Sequence, residues 1–142
     1  MVALVDTNVL VYRYDPRFPA KQQAATALLR AGLRDGTLRI PHQAIVELVA
    51  AVTRPIDRGK SLLTREEAIE EAEEILDAFP VLYPDEAVLR TALRGAAAYQ
   101  LSWFDAHLWA YAESHGVHLL YSEDFQHGRL YGKVRAMNPF RG

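Results

Sequence analysis

The sequence predicts an α/β domain with three layers, α/β/α, in which a mostly parallel central sheet is flanked by helices. Short apolar runs, too short to be helices, alternate along the chain with longer segments whose apolar residues have helical spacing. Two of these runs end on acidic residues, at the position where open parallel sheets bind ligands. The 142 residues suffice for one such domain with a buried core, and we find no internal repeat or second domain.

The composition is typical of a soluble globular protein. Half of the residues are hydrophobic, and the formal net charge is −2. The sequence has no cysteine, which excludes disulfides, thiolate metal sites and cysteine nucleophiles. No apolar run is long enough to span a membrane, and the first residues lack the basic and apolar regions of a signal peptide, so we expect a cytoplasmic protein.

The first predicted strand covers residues 2–5, and the polar triplet Asp6-Thr7-Asn8 follows it. A short run rich in Val and Leu fits a buried parallel strand. Asp6 therefore stands at a carboxyl strand end, where α/β sheets bind ligands. The alternative is that Asp6 only accepts hydrogen bonds from backbone amides in a tight turn.

Residues 11–18 are predicted to form a loop, because two prolines interrupt regular structure there. The loop places Tyr12, Arg13 and Arg17 near Asp6. Two cations and an aromatic ring beside a carboxylate suit a phosphate-rich chain with stackable bases, so these residues are candidates for RNA binding. An ordinary solvated loop is the alternative.

The first long helix is predicted over residues 20–34, and a short strand follows over 37–40. The next helix, 43–54, is apolar on nearly all sides except at Glu47, which indicates a buried helix. A buried carboxylate is costly unless it is paired or bound to a metal, so Glu47 is a candidate ligand. The alternative is a thin exposed stripe formed by Gln43, Glu47 and Arg54.

Thr64 and Glu67 have the spacing of a capping box and predict a helix that runs to about residue 79. This helix carries six of the 18 acidic residues of the chain, which we interpret as a solvated face and not as metal ligands. The six are Glu66, Glu67, Glu70, Glu71, Glu73 and Glu74. The positions predicted to face inward are Ala68, Ile69, Ala72, Ile75 and Leu76.

A third strand over 81–83 precedes a helix that runs to about residue 100, with Asp85 as its N-cap. The next helix carries Asp105 in its first turn. Ser102 and Asp105 have capping-box spacing with Asp in place of Glu, so Asp105 is either a structural cap or a site ligand.

The fourth strand, over 117–121, ends on polar and acidic residues that include Ser122 and Asp124. This repeats the pattern at Asp6. A last strand is predicted over 133–137.

Four acids can converge at one edge of the predicted sheet: Asp6, Glu47, Asp105 and Asp124. Together they would raise each other's pKa unless a cation joined them. Oxygen ligands without thiolate suit a hard ion, Mg²⁺ or Mn²⁺. Such an ion activates water and stabilises a leaving oxygen, so the pattern indicates metal-assisted hydrolysis of a phosphodiester. The formal charge of the remaining residues is positive, which allows a nucleic acid to approach.

Four segments resemble a known family. They are Val-Asp6-Thr7-Asn8-Val-Leu, the buried Glu47, Trp-Phe-Asp105-Ala-His-Leu-Trp-Ala, and Leu-Leu-Tyr-Ser122-Glu-Asp124-Phe-Gln-His-Gly. In this order and spacing they resemble PIN-domain ribonucleases of the VapC toxin type, and the resemblance covers essentially the whole chain.

The resemblance implies a PIN-like fold and a Mg²⁺- or Mn²⁺-dependent endoribonuclease, the toxin of a toxin–antitoxin pair. It also implies an RNA substrate, a homodimer, and a VapB-type antitoxin that lays a peptide across the active-site groove. The residues it assigns to catalysis and metal binding are Asp6, Glu47, Asp105 and Asp124. It further implies that Thr7 and Ser122 bond the carboxylates or a metal-bound water, and that Asn8 holds the turn.

Two other functions remain open at this point. One is a catalytically silent PIN-like scaffold that acts by binding protein or RNA. The other is a phosphoacceptor receiver domain, which needs an aspartate at a central strand end and a lysine at a late strand end. Here the third strand ends in Tyr-Pro and Lys133 begins a strand.

Overall fold

The computed structural model describes residues 1–141, and within them it contains six strands and six helices. The strands are β1 (Ala3–Val5), β2 (Leu38–Pro41), β3 (Val81–Leu82), β4 (Leu119–Tyr121), β5 (Leu130–Tyr131) and β6 (Val134–Met137). The helices are α1 (Thr7–Tyr12), α2 (Pro19–Asp35), α3 (His42–Thr53), α4 (Arg65–Ala78), α5 (Glu86–Tyr99) and α6 (Trp103–Ser114). None of these six helices is both long enough and apolar enough to cross a lipid bilayer.

The strands form one sheet in the order β3-β2-β1-β4-β6-β5. All neighbouring pairs are parallel except β5 and β6, which form an antiparallel hairpin. Parallel neighbours need crossover connections, and helices supply them for every parallel pair except β4 and β6, whose connection runs through the loop after β4 and strand β5. The helices pack in two groups, α1 to α4 together and α5 against α6. The predicted α/β fold, with a mostly parallel central sheet flanked by helices, is confirmed.

The core is built around the central strands, and all three residues of β1 are buried. This is expected of a parallel strand that is covered on both faces. Two glycines allow close packing around it. A Cβ at Gly32 of α2 would collide with the Leu38 side chain, and one at Gly95 of α5 would collide with the Trp109 ring. The sequence therefore lets α2 approach β2, and α5 approach α6, more closely than a larger residue would permit.

Helix α1 lies where the sequence predicts a turn and a loop. Asp6 is its N-cap, and its Oδ1 accepts a hydrogen bond from the Thr7 N–H at 2.6 Å. The loop prediction is therefore wrong for residues 11 and 12. A helix of six residues has too few turns for hydrophobic spacing to reveal it.

The sequence also gives no sign of β5, and β6 begins one residue later than predicted. The two strands are joined by a tight turn at Gly132, whose φ of 62° suits glycine. A strand of two residues is too short to show alternating hydrophobicity, so pattern analysis misses it.

Two helix faces are more exposed than predicted. Ile69 and Leu76 of α4 are each 45% exposed, because α4 packs mainly against α3 and only a narrow stripe of it is covered. On α3, Val46 is 56% exposed, so this helix is not buried on all sides. The stripe of α4 that is buried consists of Ala68, Ala72 and Ile75.

The pairing of β1 with β4 decides what lies at the carboxyl edge of the sheet. Val5 stands opposite Tyr121, and the Asp6 N–H donates to the Tyr121 carbonyl at 2.9 Å. Residues that follow the two strands therefore lie side by side, which brings Asp6 next to the segment that contains Asp124.

Candidate metal centre

Three aspartates meet at the carboxyl edge of the sheet. Asp6 follows β1, Asp124 lies just beyond β4, and Asp105 is in the first turn of α6. One carboxylate oxygen of each lies within 4.8 Å of the corresponding atoms of the other two. Of the four acids predicted for the site, these three form one group.

Ser122 and Asn8 fix the orientation of two of these carboxylates. The Ser122 side chain is fully buried, and its Oγ donates to Asp6 Oδ2 at 2.6 Å and accepts from the Asp124 N–H at 3.0 Å. Asn8 Nδ2 donates to Asp6 Oδ2 at 3.2 Å and to Asp124 Oδ2 at 3.1 Å. Two polar side chains thus link the ends of two neighbouring strands.

The electrostatics of the group are unfavourable for three ionised carboxylates. Burial raises the pKa of Asp6 to about 7, with the Ser122 hydrogen bond acting against it and the Asp124 charge adding to it. The pKa of Asp105 is also raised, mainly by burial and further by the charges of Asp124 and Glu47, while the Ser102 hydroxyl opposes the rise. A cation bound between the carboxylates would reverse both shifts.

The available donors fit a hard divalent cation. None of the ion pairs formed within residues 1–141 involves the three aspartates, so these side chains obtain no charge compensation from Lys or Arg. Asn8 Oδ1 is buried without a hydrogen-bond partner in the same part of the chain, and it belongs to the amide that contacts Asp6 and Asp124. Carboxylate and amide oxygens are the ligands that Mg²⁺ and Mn²⁺ prefer.

Glu47 lies beside this group and not within it. Thr7 Oγ1 donates to Glu47 Oε1 at 2.6 Å, and Gln43 Nε2 donates to Glu47 Oε2 at 3.2 Å. The charge of Glu47 nevertheless contributes to the raised pKa of Asp105, so the two carboxylates repel each other. Gln43 is only 8% exposed, which contradicts the alternative of an exposed stripe along α3.

The structure separates the two possible roles of Asp105. Its N–H donates to Ser102 Oγ at 3.4 Å and so contributes to the N-terminal cap of α6. The described residues do not show the reciprocal bond from the Ser102 N–H to the Asp105 carboxylate, whereas Thr64 and Glu67 make both bonds of their capping box. The cap uses the backbone of Asp105, and the carboxylate lies with the other two aspartates.

The amino-acid sequence matches a known protein family. A family model of the PIN domain matches residues 3–133, nearly the whole chain. The chain belongs to the PIN domain family. This membership contradicts the alternative of a phosphoacceptor receiver domain.

Solved structures share the PIN fold with this chain at low sequence identity. FitAB bound to an IR36 DNA fragment is 21% identical, with a TM-score of 0.72 and coverage of 99% of this chain and 96% of that one. DNA-bound VapBC from Salmonella typhimurium is 13% identical, with a TM-score of 0.70 and 98% coverage of both chains. VapC20 of Mycobacterium tuberculosis, a sarcin-ricin loop cleaving toxin, is 14% identical, with a TM-score of 0.57 and coverage of 83% and 86%. No curated protein matches the sequence.

Two of the three residues considered for RNA binding lie next to the acidic group of this PIN domain. Tyr12 and Arg17 line a groove of about 380 Å³ together with Asp124. The Arg17 guanidinium is held by Asp15 through bonds of 2.9 and 2.8 Å, and its side chain remains 51% exposed. Arg13 lines a separate cavity that it shares with residues of α4.

A second network supports the segment after β4, and sequence analysis did not find it. Tyr12 OH donates to Glu123 Oε1 at 2.6 Å, and Lys21 Nζ donates to Glu123 Oε2 at 2.9 Å. Because Glu123 precedes Asp124, these bonds anchor the loop that carries the aspartate. The partners are about a hundred residues apart in sequence, so no local pattern could have revealed them.

Gln43 is the other residue that sequence analysis undervalued. It is one helical turn from Glu47, and that i,i+4 spacing was the available signal. Its amide contacts Glu47, the Phe104 carbonyl and the His107 ring, and it thereby joins α3 to α6.

Proposed function

We propose that this PIN domain is a Mg²⁺- or Mn²⁺-dependent endoribonuclease that hydrolyses RNA phosphodiester bonds, and that it is the toxin of a toxin–antitoxin pair. The observation that carries the proposal is the convergence of Asp6, Asp105 and Asp124 without a compensating basic side chain in the described residues. Such a site would hold a hard cation, and that cation could take phosphate oxygens as further ligands.

Each acidic residue has a role in this proposal. Asp6, Asp105 and Asp124 hold the metal, and Glu47 completes the acidic set beside Asp105. When bound, a divalent cation lowers the pKa of a coordinated water and stabilises the leaving oxygen. Ser122 keeps the Asp6 and Asp124 carboxylates in one orientation.

Thr7 and Asn8 support this set from helix α1. Thr7 fixes the rotamer of Glu47 through a hydrogen bond of 2.6 Å. Asn8 donates to both Asp6 and Asp124, and so holds the turn between β1 and α1 against the loop after β4. The ligands are thus oriented before metal binds, which reduces the reorganisation that binding requires.

The RNA would enter along the groove that Tyr12 and Arg17 share with Asp124. Arg17 keeps donors for a phosphate, because its bonds to Asp15 use only Nε and one terminal nitrogen. Arg13 is the weaker candidate, because it lines a different cavity.

The assignment to a toxin–antitoxin pair rests on family membership and on the fold shared with VapBC, FitAB and VapC20. In this proposal the protein acts in the cytoplasm, where its RNA substrate occurs, and a VapB-type antitoxin covers the active-site groove. In the same proposal the protein forms a homodimer, as its resemblance to VapC-type toxins implies.

A cleavage assay tests the proposal. Fluorogenic RNA and DNA oligonucleotides of the same mixed sequence are incubated with the protein in Mn²⁺, Mg²⁺ or EDTA. We expect RNA to be cut with either metal and to stay intact in EDTA, and DNA to stay intact throughout. Asp124→Asn should abolish cleavage, while Asp77→Asn, an exposed aspartate on α4, should leave it unchanged.

Three results would contradict the proposal: full activity in EDTA, equal cleavage of DNA, or an active Asp124→Asn protein. A protein that gains thermal stability from Mn²⁺ and yet cuts no RNA would favour the silent scaffold. Expression in a bacterial host tests the toxin assignment, since the wild type should arrest growth and Asp124→Asn should not.

A further inference from the structure

A pocket of about 400 Å³ opens beside the candidate metal centre, between α3 and the first turns of α6. Its walls are largely apolar, and they include Trp103 and Phe104, which are 41% and 66% exposed. Glu47 also lines the pocket, so the pocket and the acidic site adjoin. Exposed aromatic rings around a concave site indicate that a ligand covers them.

The pocket contains a hydrogen-bond acceptor, and the contacts of Gln43 identify it as a ring nitrogen of His107. The Gln43 amide nitrogen lies 3.2 Å from Glu47 Oε2 and 2.9 Å from the Phe104 carbonyl, and ionised carboxylate and carbonyl oxygens only accept. The Gln43 oxygen therefore faces His107 Nδ1 at 2.6 Å and must accept a proton from it. This fixes the tautomer of His107 with hydrogen on Nδ1.

The other ring nitrogen of His107, Nε2, is thus an acceptor, and it makes no hydrogen bond within residues 1–141. A ligand in the pocket can therefore donate a hydrogen bond to His107 Nε2.

The pocket also contains an unused donor. Tyr111 lies one helical turn after His107 and is fully buried, and its ring lines the same pocket. Its hydroxyl is near the Gln43 backbone, but its own proton has no acceptor in the described part of the chain. A buried polar group without a partner is costly, and a ligand acceptor in the pocket would remove this cost.

We propose that this pocket binds a nucleobase of the RNA, next to the phosphate that the acidic site attacks. The choice of ligand rests on the proposed nuclease function. Trp103 and Phe104 offer aromatic faces for stacking, while His107 Nε2 and Tyr111 OH form an acceptor–donor pair for the edge of a base. An anionic ligand is disfavoured, because Glu47 lines the pocket and the walls hold no Lys or Arg to pair with a phosphate.

The nearness of the acidic site favours a base over other occupants. Glu47 lines the pocket and its charge reaches Asp105, so a nucleotide whose phosphate sits at the aspartates has its base within reach of the aromatic walls. The pocket is then the element of the enzyme that selects which base flanks the cut.

Trp103 provides a direct readout of binding that does not depend on metal or on cleavage. The chain has two tryptophans, and Trp109 is buried and donates to the Tyr131 carbonyl. The full-length protein in EDTA is titrated with adenosine, guanosine, cytidine and uridine, which carry no phosphate. We expect saturable quenching of tryptophan fluorescence, unequal among the four nucleosides, and no response in the Trp103→Phe variant.

Two variants separate stacking from recognition of the base edge. Phe104→Ala should weaken all nucleosides by about tenfold, because base–aromatic stacking does not depend on sequence. Tyr111→Phe removes one hydroxyl that has no acceptor, and it should weaken the preferred nucleoside by about tenfold while it changes the others less. Tyr14→Phe is the matched control, since it removes a second buried unpartnered hydroxyl outside the pocket and should bind like the wild type.

The cleavage assay gives a second readout that remains distinct from the proposed function. With RNA substrates that differ only in the base beside the cut, Tyr111→Phe should reduce the ratio of kcat/KM between the preferred base and the others by about tenfold. The Mn²⁺ concentration needed for half-maximal activity should stay the same, because the metal ligands are unchanged.

Several results would overturn the nucleobase assignment without touching the nuclease proposal. The first is the absence of quenching by all four nucleosides from a protein that cuts RNA. The second is an equal loss of binding in Tyr14→Phe. Stronger binding of N-acetyl-phenylalaninamide than of any nucleoside would assign the pocket to a protein side chain. A dimeric wild type that becomes monomeric in Phe104→Ala, and binds no nucleoside, would assign it to a second copy of the chain.

Discussion

The substitution Asp6→Asn should make the metal-free protein more stable at pH 8 and less stable at pH 3.5. The folded chain raises the pKa of Asp6 from 3.8 to about 7, so it favours the protonated carboxyl. The unfolded chain loses that proton at lower pH. The stability contributed by the protonated form is therefore complete below about pH 4 and is lost as the pH rises to about 7.

The size of the effect follows from that shift. One pKa unit corresponds to about 1.4 kcal/mol, so ionising Asp6 lowers the free energy of unfolding by about 4 kcal/mol at most. Asparagine removes this cost but places an N–H₂ group where Asp6 Oδ2 accepts bonds from Ser122 and Asn8. Those lost bonds cost about 1–2 kcal/mol. The net gain at pH 8 is about 2 kcal/mol, or roughly 5–10 °C in Tm for a chain of this length.

Thermal melting in EDTA at pH 3.5 and pH 8 measures this crossover. At pH 3.5 the Asp6 carboxyl is largely protonated in both the folded and the unfolded chain, so the variant only loses hydrogen bonds and should melt below the wild type. Asp85→Asn is the matched control, because Asp85 is an exposed N-cap whose Oδ1 accepts from the Val88 N–H. Asn and Asp are equivalent caps, so this control should show no crossover.

Addition of Mn²⁺ completes the test. Binding stabilises the wild type in proportion to the logarithm of the metal concentration above Kd, whereas Asp6→Asn should gain little and lose RNA cleavage by a hundredfold or more. A variant that melts below the wild type by the same amount at both pH values would show that ionisation of the Asp6 carboxyl does not destabilise the folded chain. Wild-type cleavage by the variant would refute its role as a ligand.

Three further predictions follow from the geometry. Asp105→Glu should keep the α6 cap, which uses only the backbone of residue 105. The variant should lose most cleavage and need more Mn²⁺, because one methylene shifts the carboxylate by more than the ~0.5 Å that a metal site tolerates. Full activity would make Asp105 a structural residue. Charge reversal at Glu70 and Glu73 should leave the metal dependence of cleavage unchanged, and a large rise in the required Mn²⁺ would move the site to α4. Ser122→Ala removes hydrogen bonds to Asp6 and Asp124, so it should lower the free energy of unfolding by about 1–3 kcal/mol and weaken Mn²⁺ binding. Thermal melting and metal titration measure the two effects. An unaffected Mn²⁺ titration would show that Ser122 is not needed to orient the aspartates.

Features that depend on residues close together in the chain could be predicted from the sequence alone. Thr64 and Glu67 form the predicted capping box, and Asp85 caps α5, because each of these contacts spans only three residues. The alternation of short apolar strands with amphipathic helices determined the fold class. It also placed Asp6 and Asp124 just beyond strand ends. Helix α1 and strand β5 were not predicted, because six and two residues are too few to show a repeating hydrophobic pattern.

The exposed faces of the helices depended on packing that the sequence does not encode locally. The apolar residues of α4 are spaced so that either of two stripes could face inward, and contact with α3 covers the stripe through Ala68 while Ile69 stays exposed. Whether a helix position is buried depends on the element that packs against it. The composition of α4 alone therefore does not predict which stripe is buried.

The tertiary structure also decided which acids belong together. Asp6 and Asp124 adjoin because β1 pairs with β4 in register, and Asp105 joins them from the start of α6. Glu47 is held apart from them by Thr7, forty residues away, and by Gln43, which in turn sets the tautomer of His107. Hydrogen bonds require alignment to within a few tenths of an ångström, and the positions of side chains so distant in sequence become fixed only when the sheet and both helix layers have packed.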